Sequence, residues 1–195
     1  MTLRPIVTLG DARLRVVGAR VGSFGPALHE LLDDMTETMR DAPGVGIASQ
    51  QVGEALQLCV IEVDDELYEV ANPEIVHLSG EQEDYEGCLS VPGFVAIRRR
   101  AEHAIIVGQD RHGKRITISG HGLLARAIQH EYAHPQGELY LDAVPPETVI
   151  PTESLDEADE DEDSPEGRRL RRRRERVRRE QAQATLESAT ASDEG

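Results

Sequence analysis

Apolar residues follow two rhythms along this chain. Between residues 26 and 40, Leu28, Leu31, Leu32, Met35 and Met39 recur three or four apart among acidic neighbours, the one-sided stripe of an amphipathic surface helix. Pro26 suits the first turn of that helix, and Ala42-Pro43-Gly44 stops it. Leu123, Leu124, Ala127 and Ile128 repeat the spacing and predict a second helix running from His121 to His134. Elsewhere the apolar residues gather in short runs rich in β-branched types: 56–63, 68–70, 94–98, 103–107 and 115–119. Turns are expected at Asp64-Asp65-Glu66 and Asp110-Arg111-His112-Gly113, and a break at Asn72-Pro73. Residues 5–10 read as an extended segment entering a turn. Short antiparallel strands with only two strong helices indicate an α+β domain, not alternating βαβ units.

Composition divides the chain. Residues 1–150 hold 12 Lys/Arg against 23 Asp/Glu, and the last 45 hold 9 against 14, within a formal net charge of −16. An acidic body does not suit general nucleic-acid binding, and its charge supports solubility. Residues 151–167 read as an acidic linker too poor in apolar side chains to fold, hence disordered. Residues 168–195 form an Arg-rich tail, helical or disordered. It either folds back on its acidic linker or contacts RNA or the ribosome. The expected division is therefore a domain over 1–150, a linker and a tail. No basic segment leads into an apolar run at the N-terminus, and no stretch is long enough to span a bilayer, so a cytoplasmic protein with no membrane partner is expected. Cys59 lies in a strand-like run and reads as a small buried hydrophobe.

The chemistry centres on Gln129-His130-Glu131-Tyr132-Ala133-His134. Residues four apart on a helix stand one above the other, so His130 and His134 present two imidazoles on one face, and Leu123 and Ala127 on that face place the pair against the interior. Glu131 is offset by about 100° and lies beside a metal held by the histidines without ligating it. This is the H-E-x-x-H arrangement, two nitrogen ligands and a carboxylate placed as general base toward the attacking water. A helix that merely carries these residues is the plainer alternative. A catalytic centre of this kind needs a third protein ligand. The candidate is Cys88, in a Gly-flanked loop Glu86-Gly87-Cys88-Leu89-Ser90 between strands. Gly44-Val45-Gly46-Ile47-Ala48-Ser49-Gln50-Gln51 has alternating glycines that permit close backbone approach to a ligand, or simply make a helix-to-strand turn.

Together these three stretches resemble the peptide deformylases, metallohydrolases that remove the N-formyl group from new bacterial proteins. The family pattern is G-x-G-x-A-A-x-Q, then E-G-C-L-S, then Q-H-E-x-x-H-L, and all three occur here in order. The likeness extends to residues 11–14, Asn72-Pro73 and residues 137–142, covering roughly 4–150. It implies short antiparallel sheets around a metal-binding helix, and hydrolysis of the formyl group of N-formyl-methionyl nascent polypeptides with release of formate. Carried over by position, Cys88, His130 and His134 bind one divalent ion, natively Fe(II), with Zn(II) or Ni(II) as substitutes. Glu131 is general base and then general acid. Gln51, through its amide, and Leu89, through its backbone N–H, hold the oxyanion. Gly46 binds the peptide backbone, and Val45, Leu123 and Ala127 line the methionine pocket. Three positions depart from the pattern: Ser49-Gln50 for Ala-x, Ala133 for Asp, and Pro135 for Leu. Pro135 has no N–H for the Glu131 carbonyl and disfavours helical geometry at His134, so either the helix ends there or the metal site is loosened and catalysis impaired. Two rivals remain: a metalloprotease whose third ligand is Glu147 or Glu153, and a ribosome-associated binding module acting through the tail.

Overall fold

The computed structural model describes residues 2–42 and 44–154. Met1–Ile150 forms one compact unit. The expected acidic linker, from residue 155 onward, and the whole Arg-rich tail lie outside the described residues.

The first helix, α1 (Pro26–Asp41), has Pro at its first position and ends on Ala42, whose N–H bonds the Thr38 carbonyl. Its stripe is buried as expected: Leu28, Leu31, Leu32, Met35 and Met39 pack in one core with Ile47, Leu58 and Val60. Full burial of such a side chain contributes about 1.5–3 kcal/mol, so five of them fix the face that α1 presents. A five-stranded sheet lies beneath, in the order β1 (Gly46–Ala48), β2 (Leu58–Val63), β3 (Glu66–Ser79), β6 (His103–Gln109) and β7 (Arg115–His121), each pair antiparallel. The second helix, α2 (Gly122–Ala133), packs on the same sheet. Its Ala125, Ala127 and Ile128 share a core with Cys59, Ile61, Val70, Ala104, Ile106 and Ile118. A smaller sheet orders β4 (Gln82–Gly87), β5 (Phe94–Arg100) and β8 (Val149–Pro151).

Four local expectations change. The glycine-rich stretch is not a plain turn: it contains β1, three buried residues, followed by a 3-10 turn over Ser49–Val52. Strand β4 joins the strands expected from sequence. Asn72-Pro73 does not interrupt β3 but forms a bulge inside it, between Ala71 and Glu74. Asn72 adopts φ 53°, a left-handed value that Asn tolerates better than most residues. Its Oδ1 accepts from the Val21 N–H at 2.8 Å, and its Nδ2 donates to the Val21 carbonyl and to Gln109. Asn72→Ala should therefore lower stability by about 2–3 kcal/mol, because it strands buried backbone groups, as read from a denaturant midpoint at unchanged slope.

The fourth change concerns Pro135. The α-helix ends at Ala133, and His134 opens a single 3-10 turn with Pro135 second. His134 keeps helical angles, φ −57° and ψ −48°, so the expected displacement of this residue does not occur. The turn closes with Gly137 left-handed, its N–H on the His134 carbonyl and the Glu138 N–H on the Ala133 carbonyl, a Schellman motif. The Pro135 carbonyl accepts from Gly18 at 2.9 Å. Proline thus stands where the α-helix is already finishing. Pro135→Leu should change stability by less than about 1 kcal/mol, read from a denaturant midpoint; a larger loss would show that the ring holds this turn in place.

Candidate metal centre

Three separate pieces of chain meet at one point. Strand β4 ends at Gly87 and delivers Cys88 into a turn closed by the Val91 N–H on the Cys88 carbonyl. The last turn of α2 delivers His130, and the 3-10 turn after it delivers His134. The ligand atoms of Cys88, His130 and His134 all lie within 4.8 Å of one another. The two Nε2 atoms are 3.3 Å apart, and Cys88 Sγ is 3.5 Å from His134 Nε2. A tetrahedral ion with bonds of about 2.0–2.1 Å to nitrogen and about 2.3 Å to sulfur separates its nitrogens by about 3.3 Å and nitrogen from sulfur by about 3.6 Å. The donor set fits such an ion.

His130 is held from behind. Its Nδ1 donates to Glu86 Oε1 at 2.8 Å, which leaves Nε2 facing Cys88 and His134. Glu86 is buried and also accepts two bonds from Arg100 and one from Arg126. Burial alone would raise its carboxyl, but the His130 and Arg100 contacts outweigh it and hold the group well below the usual carboxylate range. Glu86 is a positioning residue that motif reading overlooked. Its partners come from the register, which no local pattern reveals: Glu86 pairs with Ala96 across β4 and β5, so Arg98 and Arg100 share its face.

Glu131 is buried, and its Oε2 finds no partner among the described residues. Burial is the main cause that lifts its carboxyl to about 7. Gly46 makes room for it: a Cβ there would sit 2.4 Å from Glu131 Oε1. Gly46→Ala should therefore displace this carboxylate and cost about 1–3 kcal/mol of stability, read from a denaturant midpoint.

Gln51 comes from the turn after β1. Its Oε1 accepts from the Ala48 N–H at 2.7 Å, so its amide nitrogen must face the other way, where it donates to Cys88 Sγ at 3.5 Å. Leu89 follows Cys88 in the same turn and packs against Gly44, where a Cβ would lie 2.8 Å from Leu89 Cδ1. Ala127 is buried on the inner face of α2, but Leu123 is 53 % exposed and Val45 44 % exposed. The expectation that Leu123 faces the interior is thus corrected. Leu123 lies in the first helical turn, and the neighbouring Leu124 takes the inward position against the core. Glu147, one of the alternative third ligands, is exposed.

Residues 3–149 match the sequence profile of the polypeptide deformylase family. The chain belongs to that family. It is 42 % identical over 147 residues to a peptide deformylase of Dictyoglomus thermophilum, covering 75 % of this chain and 96 % of the relative. Among solved structures it resembles a peptide deformylase from Legionella pneumophila, with TM-score 0.73, 43 % identity and coverage of 75 % and 89 % of the two chains. It also resembles a Met-Ala-Ser-bound class I type b peptide deformylase from Acinetobacter baumannii, with TM-score 0.71, 27 % identity and coverage of 73 % and 99 %. The enzyme is a metallohydrolase that removes the N-formyl group from the N-terminal methionine of newly synthesised proteins and releases formate. The antiparallel sheets and the helix α2 are those the resemblance implied.

Proposed function

We propose that Cys88, His130 and His134 hold one divalent ion and that Glu131 moves the protons of deformylation around it. The convergence of one sulfur and two Nε2 atoms at tetrahedral-edge spacing carries this reading. A bound divalent ion supplies Lewis-acid chemistry, acidifying water and polarising the formyl carbonyl. Glu131 takes the proton of the attacking water and passes it to the departing methionine amine. The Gln51 amide and the Leu89 backbone N–H donate to the oxygen on which charge develops. Gly46 belongs to β1, the edge strand of the five-stranded sheet, so its outer side suits an extended peptide added as one more strand. Val45 and Leu123, exposed, and Ala127, buried, line the methionine pocket. One thiolate and two imidazoles suit Fe(II), Zn(II) or Ni(II), and we take Fe(II) as the native ion.

Among the described residues no helix is long and apolar enough to cross a membrane. A nascent-chain substrate places the enzyme in the cytoplasm. We assign catalysis to residues 1–150; the Arg-rich tail either folds back on the acidic stretch before it or contacts RNA or the ribosome, as its composition allows. Truncation at Pro151 should spare formate release from a short peptide.

Mass analysis of formyl-Met-Ala-Ser after incubation tests the reaction. The expected products are formate and intact Met-Ala-Ser; cleavage between the residues would favour the metalloprotease reading.

A further inference from the structure

A second cluster of imidazoles stands apart from the catalytic one. His103 on β6 pairs directly across from His121 on β7, and Ser79 on β3 pairs across from His103 on the other side. His77 lies two residues before Ser79 in unbroken register, opposite Ile105, so it shares the face of Ser79 and His103. The rings follow in a row. His77 and His103 have centroids 5.3 Å apart, and His103 and His121 stack at 4.1 Å with 6° between their planes. The opposite face of these strands carries Ala104, Ile106 and Ile118, which share a core with Ala125 and Ile128 of α2. Because side chains alternate along a strand, the row lies on the sheet face opposite the body of α2, although His121 directly precedes that helix as its N-cap.

We propose that His103 and His121, with His77 as third donor, form a surface site for one imidazole-preferring divalent transition ion such as zinc. Cross-strand residues directly opposite have Cβ atoms about 4.5–5.5 Å apart, a span two imidazoles close over an ion held at about 2.0–2.1 Å from each nitrogen. His77 and His121 are exposed and His103 half-buried, so small ring rotations convert the stack into a chelate. His77 and His103 use Nε2 to bond only hydroxyls, of Ser79 at 3.0 Å and Ser119 at 2.9 Å. None of the three makes an ion pair with a carboxylate among the described residues. Partial burial of His103, then the neighbouring His121 and His77, push its imidazole below its ordinary value, favouring the neutral form that binds metal. Imidazole ligands select zinc, nickel or copper over magnesium and calcium.

Calorimetric titration of zinc chloride into enzyme already holding one zinc in its catalytic centre tests the site. The wild type should take up one further equivalent. His103→Asn and His121→Asn should each weaken that uptake at least about tenfold, because the second imidazole of a chelate binds as an intramolecular event. His77→Asn should weaken it less. Formate release by the zinc enzyme should stay unchanged in all three; without added zinc His77→Asn and His103→Asn should melt with the wild type, and His121→Asn, at the N-cap of α2, should melt no lower. The paired His29 and His112, 5.1 Å apart, provide the control. No further equivalent in the wild type would overturn the proposal. So would uptake that survives in the His103→Asn/His121→Asn double variant, or that disappears in His29→Asn/His112→Asn instead.

Discussion

Glu131→Ala should retain one ion per chain and lose at least about 100-fold in formate release, within the 10²–10⁴ range that a positioned acid–base group contributes. The reason lies in what Glu131 does not do. It is buried, it is not one of the three converging ligands, and its Oε2 is unpartnered among the described residues. Such a carboxylate costs stability in the resting protein, and Gly46 keeps its surroundings open to hold it. The variant should therefore melt no lower than the wild type. Glu131→Gln preserves shape without basicity and should fall as far in turnover. Comparable activity in either variant would exclude the general-base role, and loss of the ion in both would make Glu131 structural.

Cys88→Ala should lose the ion. Two nitrogens 3.3 Å apart remain in that variant, and a two-ligand site does not hold a catalytic ion against exchange. Ion content should fall to less than about one tenth per chain after desalting, and formate release should fall with it. The linked effect on stability supplies a second readout. Chelator should lower the melting temperature of the wild type and leave that of Cys88→Ala unmoved, because binding to the native state alone adds stability. Retention of the ion without Cys88 would favour a protease-like centre with a carboxylate third ligand.

Much of this molecule is legible in its apolar pattern, and the illegible parts share a cause. The stripe of α1 and the spacing of α2 each have a single explanation, because a core lies along one face of each. Strand β4 is different. Gln82-Glu83-Asp84-Tyr85-Glu86-Gly87 shows no apolar alternation, and its register sets Glu83 against Arg99 and Asp84 against Arg98. Glu83 bonds Arg99 Nε at 2.9 Å, so charge across the pair, not burial, identifies the strand, and hydrophobic periodicity is blind to it. β1 escapes for another reason: three buried residues are too few to show any period. Asn72-Pro73 has the composition of a break, yet its side-chain bonds to Val21 make it a bulge, and those partners are 51 residues away.

The same contrast runs through the site. His130 and His134 are visible together because four residues on a helix is a local distance. Cys88 is 42 residues upstream of His130, and only the motif around it marks it out. Glu86 carries no local mark of its role, since Arg100, Arg126 and His130 reach it from β5 and α2. Of the two readings of Pro135, the ending of the helix there holds, and sequence could not choose it because the Schellman turn that absorbs the ring depends on Gly137 and Glu138.

Ion content and formate release measured on the same anaerobically purified sample test the centre most directly. One divalent ion per chain is predicted, with release from a formyl-Met tripeptide rising in proportion to ion content as stripped protein is reloaded. Full activity in protein carrying no stoichiometric ion would contradict the account.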